Sequence, residues 1–512
     1  MSLHLLTRYG LPRDITPAPD DQVEVVDSTV ESYVTGTSVS RTIPSATQEG
    51  DWVIAMMFHR SSINSSPSGF TRIASVMNAD PPDNFGQVTE VWLKVADAND
   101  ADEVVSFGQS ASGRMALALI VLRGAGRLRV EDAAATDYGA TSTTPGEHPV
   151  PVVTSGGSGR LALSISSCVY AETSGTTTYT PPEGWTGTTS ADVADNRLSV
   201  AHKSVNAGDT SAELTHEHAV TTHSGGEIVL MVAAGDDPHE YEVFTADDTW
   251  NWANAGEPDQ VDVLLVGGGG AGCNGPAGNM IAGGGGGAGG VRVATAIAVN
   301  GDVTVTVGDG APETPSGSTG SGADGGPSSF GDESVLGGGG GGINDTTRIA
   351  SSGGSGGGSS SFGTAGSGTT GQGHGGGVGT TNIDGSRSGG GGGKDTAGVD
   401  GGIQVGGHGG AGVTLGSLGF ADAITRGAPL TVGGGGGGGA YRSTGGTHSG
   451  GDGGFGGGGD GGTGAVIPTG GTAGATNTGG GGGGGGTNDS SGGATVGGAG
   501  GSGLVIVRWI RP

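Results

Sequence analysis

Cysteine is nearly absent from this sequence: there are two, Cys168 and Cys273. They form neither a disulfide framework nor a zinc-ligand spacing, so covalent stapling and a structural zinc site are excluded as the source of the fold. Aromatic residues make up 4% of the chain and charged residues 14%. Lysine is reduced to Lys94, Lys203 and Lys394 against 18 arginines, while acidic residues number 50 and the formal net charge is −29. A chain so short of clustered basic residues offers no surface to a phosphate backbone, which excludes nucleic acid as a partner. Acidity with little lysine fits either a GC-rich genome or a halophilic source; it bears on solubility, not on fold. No apolar run approaches the ~18 residues of a membrane span. The opening MSLHLLTRYGLPRD has an apolar stretch too short for a secretion signal.

What the sequence has in abundance is glycine, 120 of 512 residues, most of them after residue 265. Glycine loses more backbone freedom on folding than any other residue. This half is therefore either disordered or held by backbone hydrogen bonds in place of a side-chain core. The runs 283–287, 337–342, 389–393, 433–439 and 479–486 favour the second reading, because they are pure glycine, whereas a flexible linker mixes glycine with serine or charge. Their centres recur every roughly 45–55 residues, the spacing of repeated passes through one bundle. Polyglycine adopts a left-handed threefold helix that rises about 3.1 Å per residue, with every N–H and C=O pointing outward. Without side chains, neighbouring helices approach until their backbones bond to each other. No β-branched residue interrupts a run, and six to eight glycines span about 20–25 Å. The expectation is a packed polyglycine II bundle.

Residues 41–235 read as all-β. Strand-like runs at 52–59, 88–95, 114–122, 160–169, 197–205 and 227–233 are separated by turn residues, and no helical periodicity competes. The region also repeats itself. GDWVIAMMFH, SPSGFTRI, VTEVWLKVADANDADEVVSF and SGRMALALIVLRGAG are matched in order by SGRLALSISS, PPEGWTGT, RLSVAHKSVNAGDTSAEL and SGGEIVLMVAAGD. Each copy has a Gly-aromatic-Thr turn, Gly69-Phe70-Thr71 and Gly184-Trp185-Thr186, and a later hairpin bearing Asp100 or Asp209. Duplication implies two similar sandwiches or one pseudo-symmetric sandwich.

From 240 to 310 the β texture returns in YEVFTADDTWNWA, QVDVLLV, VRVATAIAV and DVTVTVGDG. Asn300-Gly301 stands between two alternating runs as a hairpin signal. The final GLVIVRWIRP is another apolar strand. One small sheet is expected, holding 261–266, the Asn300-Gly301 hairpin and 504–509, and closing the base of the bundle. The phrases VFTADDTWNWANAGEPDQVDVLLVGGGGAG, GGPSSFGDESVLGGGGGG and GGAGGSGLVIVRWI resemble the glycine-rich domains of phage tail fibres and receptor-binding adhesins. That resemblance covers about residues 240–512 and implies a bundle of polyglycine helices whose end loops contact the host surface. The long Ser/Thr-rich insertions depart from the pattern. Residues 41–235 are similar to the β-domains of phage minor tail proteins.

Two motifs imitate nucleotide sites and fail, so no cofactor is implied. VDVLLVGGGGAGCNG offers a strand and Gly-x-Gly-x-x-Gly, but CNGPAGNMIAGGGGGAGG cannot make the helix that must follow. GGGGGKDT puts Asp395 where a P-loop needs Ser or Thr. In THEHAVTTH, His216 and His218 share one face of a strand and His223 lies past a turn. That spacing suits zinc and equally suits solvated histidines on a surface hairpin. The acidic loops at 80–83 and 97–102 fit no EF-hand. No nucleophile elbow, convincing acid pair or HExxH marks an enzyme.

The expected fold class is all-β, with an N-terminal arm over 1–40, sandwich copies over 41–140 and 141–236, and a glycine-rich domain over 237–512 whose cap strands lie near 241–266, 291–308 and 503–510. The expected function is that of a virion structural protein of the distal tail, a fibre or tail-tip adhesin, not an enzyme. A surface protein with no secretion signal suits a virion part released by lysis. Its expected partners are other tail or baseplate proteins at the N-terminal region and a host surface protein or glycan at the C-terminal region. Homo-oligomerisation, preferably as a trimer, would multiply weak contacts. Selectivity must come from non-glycine residues at bundle ends: Tyr441, Arg442 and His448 in AYRSTGGTHS, and Phe420 and Arg426 in LGFADAITRGAP. Tyr and Arg are favoured interface anchors, and Tyr stacks on sugar rings. A tailspike enzyme cleaving surface polysaccharide and a non-viral glycine-rich surface protein are the competing readings.

Overall fold

The computed structural model describes residues 22–32, 36–59, 63–78, 87–124, 128–138, 146–149, 153, 155, 159–170, 184–193, 196–206, 215–218, 223–234, 239–276, 281–318, 320–342, 349–361, 363–382, 385–402, 405–442, 448–488 and 494–510. These residues are nearly all β or extended. Among them the single helix is the short 3-10 turn Ala421–Arg426.

The N-terminal half contains two copies of one unit. In the first, an antiparallel sheet is ordered Val23–Ser32, Met115–Gly124, Trp52–His59, Gln87–Val95, Thr71–Asn78. In the second, the order is Leu128–Tyr138, His223–Ala234, Arg160–Tyr170, Asn196–Val205, Thr186–Val193. Numbered by chain order within each sheet, both read 1-5-2-4-3. The bulges coincide too. Val26 and Glu131 are each the extra residue between a Val and an Asp of the first strand. Ile73 and Thr188 are each the extra residue just beyond the Gly-aromatic-Thr turn. A small sheet lies apart from each large one: Gly36–Thr42, Val104–Gly113 and Ile63–Ser65 in the first copy, and Gly146–Pro149 with Thr215–His218 in the second.

Trp52–His59 is buried along its whole length because both of its faces are covered. Val53, Ala55 and Met57 pack against Val39, Ile43 and Phe107 on the small-sheet side. Trp52, Ile54, Met56 and Phe58 join a core with Leu161, Leu163, Ile165, Leu230 and Val232 of the second copy. The two large sheets thus share one interior, and the duplication is a pseudo-symmetric pair. This arrangement corrects the expected limits. Val23–Ser32 pairs with Met115–Gly124 and belongs to the first unit, not to an arm, and Leu128–Tyr138 belongs to the second. The bulge at Val26 breaks the alternation that would have marked the first strand.

Past residue 238 a cap forms from two four-stranded sheets. One is ordered His239–Phe244, Leu504–Ile510, Gln260–Val266, Val291–Ala298, and the other Asp248–Trp250, Val303–Thr306, Ser328–Phe330, Glu333–Val335. Val263, Leu265, Val505, Val507, Trp250 and Phe330 form their shared core. Trp250 meets the edges of Phe330 and Trp509 at 5.8 Å each. Asn300-Gly301 is a corner between the two sheets, not the expected hairpin. A two-residue turn of that kind needs positive φ at both positions, and neither residue has it.

Beyond the cap, residues 267–273 donate hydrogen bonds in rotation. Gly267, Gly270 and Cys273 bond to residues 290, 287 and 284; Gly268 and Ala271 to 326 and 323; Gly269 and Gly272 to 501 and 498. A threefold helix with neighbours on three sides gives this period. Residues 283–290 donate to 479–485, 336–342 and 389–392, and accept from 267–273, 355–358 and 436–439. Neighbours likewise surround 389–393, 433–439 and 479–486. A pure glycine run therefore marks an enclosed helix: a Cβ at Gly286 would lie 2.1 Å from the Gly270 carbonyl oxygen. Peripheral helices instead carry a side chain at every third residue, as in Val405, His408, Ala411; Ser449, Asp452, Phe455; and Thr469, Thr472, Ala475. On a threefold helix such residues share one side, the side turned away from the bundle. The Ser/Thr-rich insertions that looked like departures include these outer helices.

Candidate functional site

The bundle has a base and a free end. Val266 and Leu504 enter and leave it side by side in the cap, and the bonds Gly267 to Gly290, Gly290 to Leu336 and Gly289 to Gly479 put those residues at the same level. At the other end the bonds Gly284 to Gly342, Gly439 to Gly283, Gly283 to Gly485 and Gly485 to Cys273 mark the last shared layer. The turns beyond that layer form the free end.

Tyr441, Arg442 and His448 all lie there. Tyr441–Arg442 pairs in parallel with Thr487–Asn488. Tyr441 is fully buried and His448 nearly so, so both cap the glycine helices rather than face solvent. His448 Nδ1 is 2.7 Å from the Tyr441 carbonyl oxygen, which requires the proton on that nitrogen. Arg387 Nη2 stands 3.3 Å from the same atom and is itself buried. Of the three, Arg442 alone reaches solvent, and only in part.

Phe420 and Arg426 are at the opposite end, against the cap. Phe420 is fully buried, edge-on to Tyr241 at 6.4 Å and under the Arg508 guanidinium at 4.7 Å. Arg426 stands 3.7 Å from Glu240. Arg508 also bonds Asp262 at 2.6 Å. Burial is the largest single effect and works against both charges, but the mutual bond together with the Ala296 N–H on Asp262 and Tyr241 beside Arg508 outweighs it, holding Asp262 below its usual range and Arg508 above its own. These side chains join parts of one chain; Phe420 is enclosed, whereas Arg426 stays partly exposed beside Glu240.

Sequence reasoning missed Val466 and Ile467. They are 73% and 82% exposed, more than any other large hydrophobic among the described residues. Their loop is closed by the Thr463 N–H donating to Thr469 Oγ1 at 2.8 Å. The Asn488 amide braces it by donating to the carbonyls of Ala465 and Val466 at 2.9 and 2.8 Å. The available signal was AVIP, an apolar cluster with proline inside a glycine field.

The histidine reading changes in its backbone. Thr215–His218 pairs with Gly146–Pro149, setting His216 opposite His148, whereas His223 starts a strand of the large sheet opposite Tyr170. The two strands belong to different sheets; the histidine side chains lie outside the described residues, as does the 80–83 loop. Among the described residues no three His, Cys, Asp or Glu form a metal-binding group. In the 97–102 loop, Asp97 accepts the Asn99 N–H and Asp100 the Asp97 N–H, each at 2.8 Å, so these carboxylates serve the loop itself. Lys394 ends a bundle helix, and its ammonium donates to the Gly371 carbonyl at 2.7 Å.

Family comparison agrees with this geometry. The family described as a glycine-rich domain matches residues 245–510, more than half of the chain. The chain belongs to the glycine-rich domain family. No curated protein matches the sequence. The matched glycine-rich domain begins just past the cap strand His239–Phe244, which nonetheless completes its sheet by pairing with Leu504–Ile510.

Proposed function

We propose that this chain is a structural protein of a virus tail, a fibre or tail-tip adhesin, in which the glycine-rich domain carries host-contacting loops at its free end. The observation that supports this reading is the polarity of the bundle. Both ends of the domain enter at the cap, the cap shares an apolar core with the sandwich pair by way of residues 413–432, and the opposite end is left to turns that include the exposed Val466 and Ile467. A bundle held by backbone bonds gives these turns a stiff support, as binding sites on loops need. The sandwich pair would face the rest of the tail, and several copies per particle would raise avidity. Gold-labelled antibody against the chain should decorate one end of virus particles, and soluble chain should compete with them for host cells. Failure to label any particle and to bind any cell surface would overturn this reading.

A further inference from the structure

Residues 413–432 differ from the rest of the glycine-rich domain. The chain leaves the bundle after Gly412 and re-enters it at Gly433 through a narrow neck, with Val413 opposite Val432 and Thr414 opposite Thr431. The Leu415 N–H closes the neck on the Leu430 carbonyl at 2.9 Å. Beyond it lies an apolar lobe built on the short helix Ala421–Arg426, ended by Gly427 at φ 89°. Phe420, Ala423 and Ile424 are fully buried. The lobe packs on Leu128–Tyr138 and Thr71–Asn78 of the sandwich pair and on cap strand His239–Phe244. Ile73, Leu128, Val130 and Ala133 share its core. Arg508 fastens it to the cap by stacking on Phe420 and donating to the Gly419 carbonyl at 2.5 Å.

We propose that residues 413–432 are a docking arm whose partner is this chain's own sandwich pair, and that the arm locks the glycine-rich domain and the sandwiches into one rigid body. The direct connection, between Ala234 and His239, crosses from sandwich to cap once. One crossing sets a distance but leaves the angle between the two parts unfixed. The arm adds a second, distant point of attachment with an apolar interface, and two points far apart in sequence fix orientation. The lobe also carries side chains that the bundle has no use for, since polyglycine packing excludes them. The proposal does not depend on a role in a virus tail. Under that role, it means that the free end cannot swivel relative to the rest of the particle.

The test uses the full chain with Ile424→Asp, which puts a charge in the buried lobe, and the milder Phe420→Leu, which removes the ring beneath Arg508 and carries the test if the first variant fails to fold. Hydrogen exchange and calorimetry are read together. Amides of 413–432 and 128–138 should exchange at least about tenfold faster, while those of 433–439 keep wild-type protection. The melting transition shared by the two parts should split in two. Loss of protection at 433–439 together with the lobe would make the segment part of the bundle's own fold and overturn the proposal. A single unchanged transition with the lobe exchanging freely would overturn it equally, since the arm would then couple nothing.

Discussion

Lys94 and Lys203 occupy the same position in the two sandwich copies. Each lays its stem against the glycine of the Gly-aromatic-Thr turn, at 3.1 Å from a Cβ position on Gly69 in the first copy and 3.8 Å from one on Gly184 in the second. They are two of only three lysines in the chain. The Lys94 ammonium pairs with Asp100, which is almost wholly buried. Asp209 follows Lys203 at the same interval as Asp100 follows Lys94.

Lys94→Ala is expected to destabilise the first sandwich by about 3 kcal/mol or more, the usual cost of stranding a buried partner charge. Lys94→Arg should also lose stability, because a planar fork does not follow the slim path over Gly69 that an alkyl stem takes. Denaturant unfolding of the two variants checks both statements. Full rescue by arginine would show that charge alone matters there.

The same pair sets a pH window. Burial alone would raise the Asp100 carboxyl, but the bond from Lys94, joined by the Asp97 N–H and Glu103, outweighs it and holds the group below its usual range. Lys94 is held above its usual value by Asp100, against the opposite effect of burial. A depressed carboxylate contributes stability above its unfolded value near about 3.9, lost as pH falls through the folded value. A raised ammonium contributes below about 10.4, lost as pH rises through its folded value. The Tm difference between wild type and Lys94→Ala should be full between about pH 5 and 9 and shrink on either side.

Gly286→Ala should disrupt the bundle by more than about 3 kcal/mol, because the added methyl meets the Gly270 carbonyl oxygen with no side chain to move aside. The entropic benefit of replacing glycine, about 0.4–1 kcal/mol, does not offset this. Ser449→Ala, at an exposed every-third position, should stay within about 0.5 kcal/mol of wild type. Equal effects of the two changes in thermal melts would refute the distinction between enclosed and peripheral helices.

Calorimetry should find an unusually small heat-capacity change for the glycine-rich domain. Unfolding exposes apolar surface, which raises heat capacity, and polar surface, which lowers it, for an ordinary net of about 12–15 cal/mol/K per residue. The interior of this bundle is backbone amide, so its value per residue should fall well below that range. A change of ordinary size, measured on the two unfolding steps of Ile424→Asp, would refute a bundle interior of backbone amide, since the apolar core of the cap is too small a share of the domain to supply it.

Val466→Ser with Ile467→Ser should leave the melting temperature unchanged, since both side chains are in solvent, and should weaken attachment if the proposed function is right. Buried against a partner, the two would contribute roughly 3–6 kcal/mol, enough to matter when several copies bind together. Normal attachment by correctly assembled particles would remove this loop from the contact.

The sequence by itself determined the elements whose causes are local. Runs of glycine marked where enclosed helices lie, because most positions there leave no room for a Cβ atom, although Ala271, Cys273 and Ala288 are also enclosed. Repeated phrases such as Gly69-Phe70-Thr71 and Gly184-Trp185-Thr186 marked the duplication, and the bulges at Ile73 and Thr188 show how closely the copies agree. Tertiary structure alone decided which end of the bundle is free. Tyr441 and Phe420 look alike in sequence, each an aromatic ring near an arginine beside glycine. One is buried at the free end and the other beneath Arg508 at the base. That difference follows from the pairing of Gln260–Val266 with Leu504–Ile510, strands far apart in the chain, and no periodicity within either strand specifies its partner.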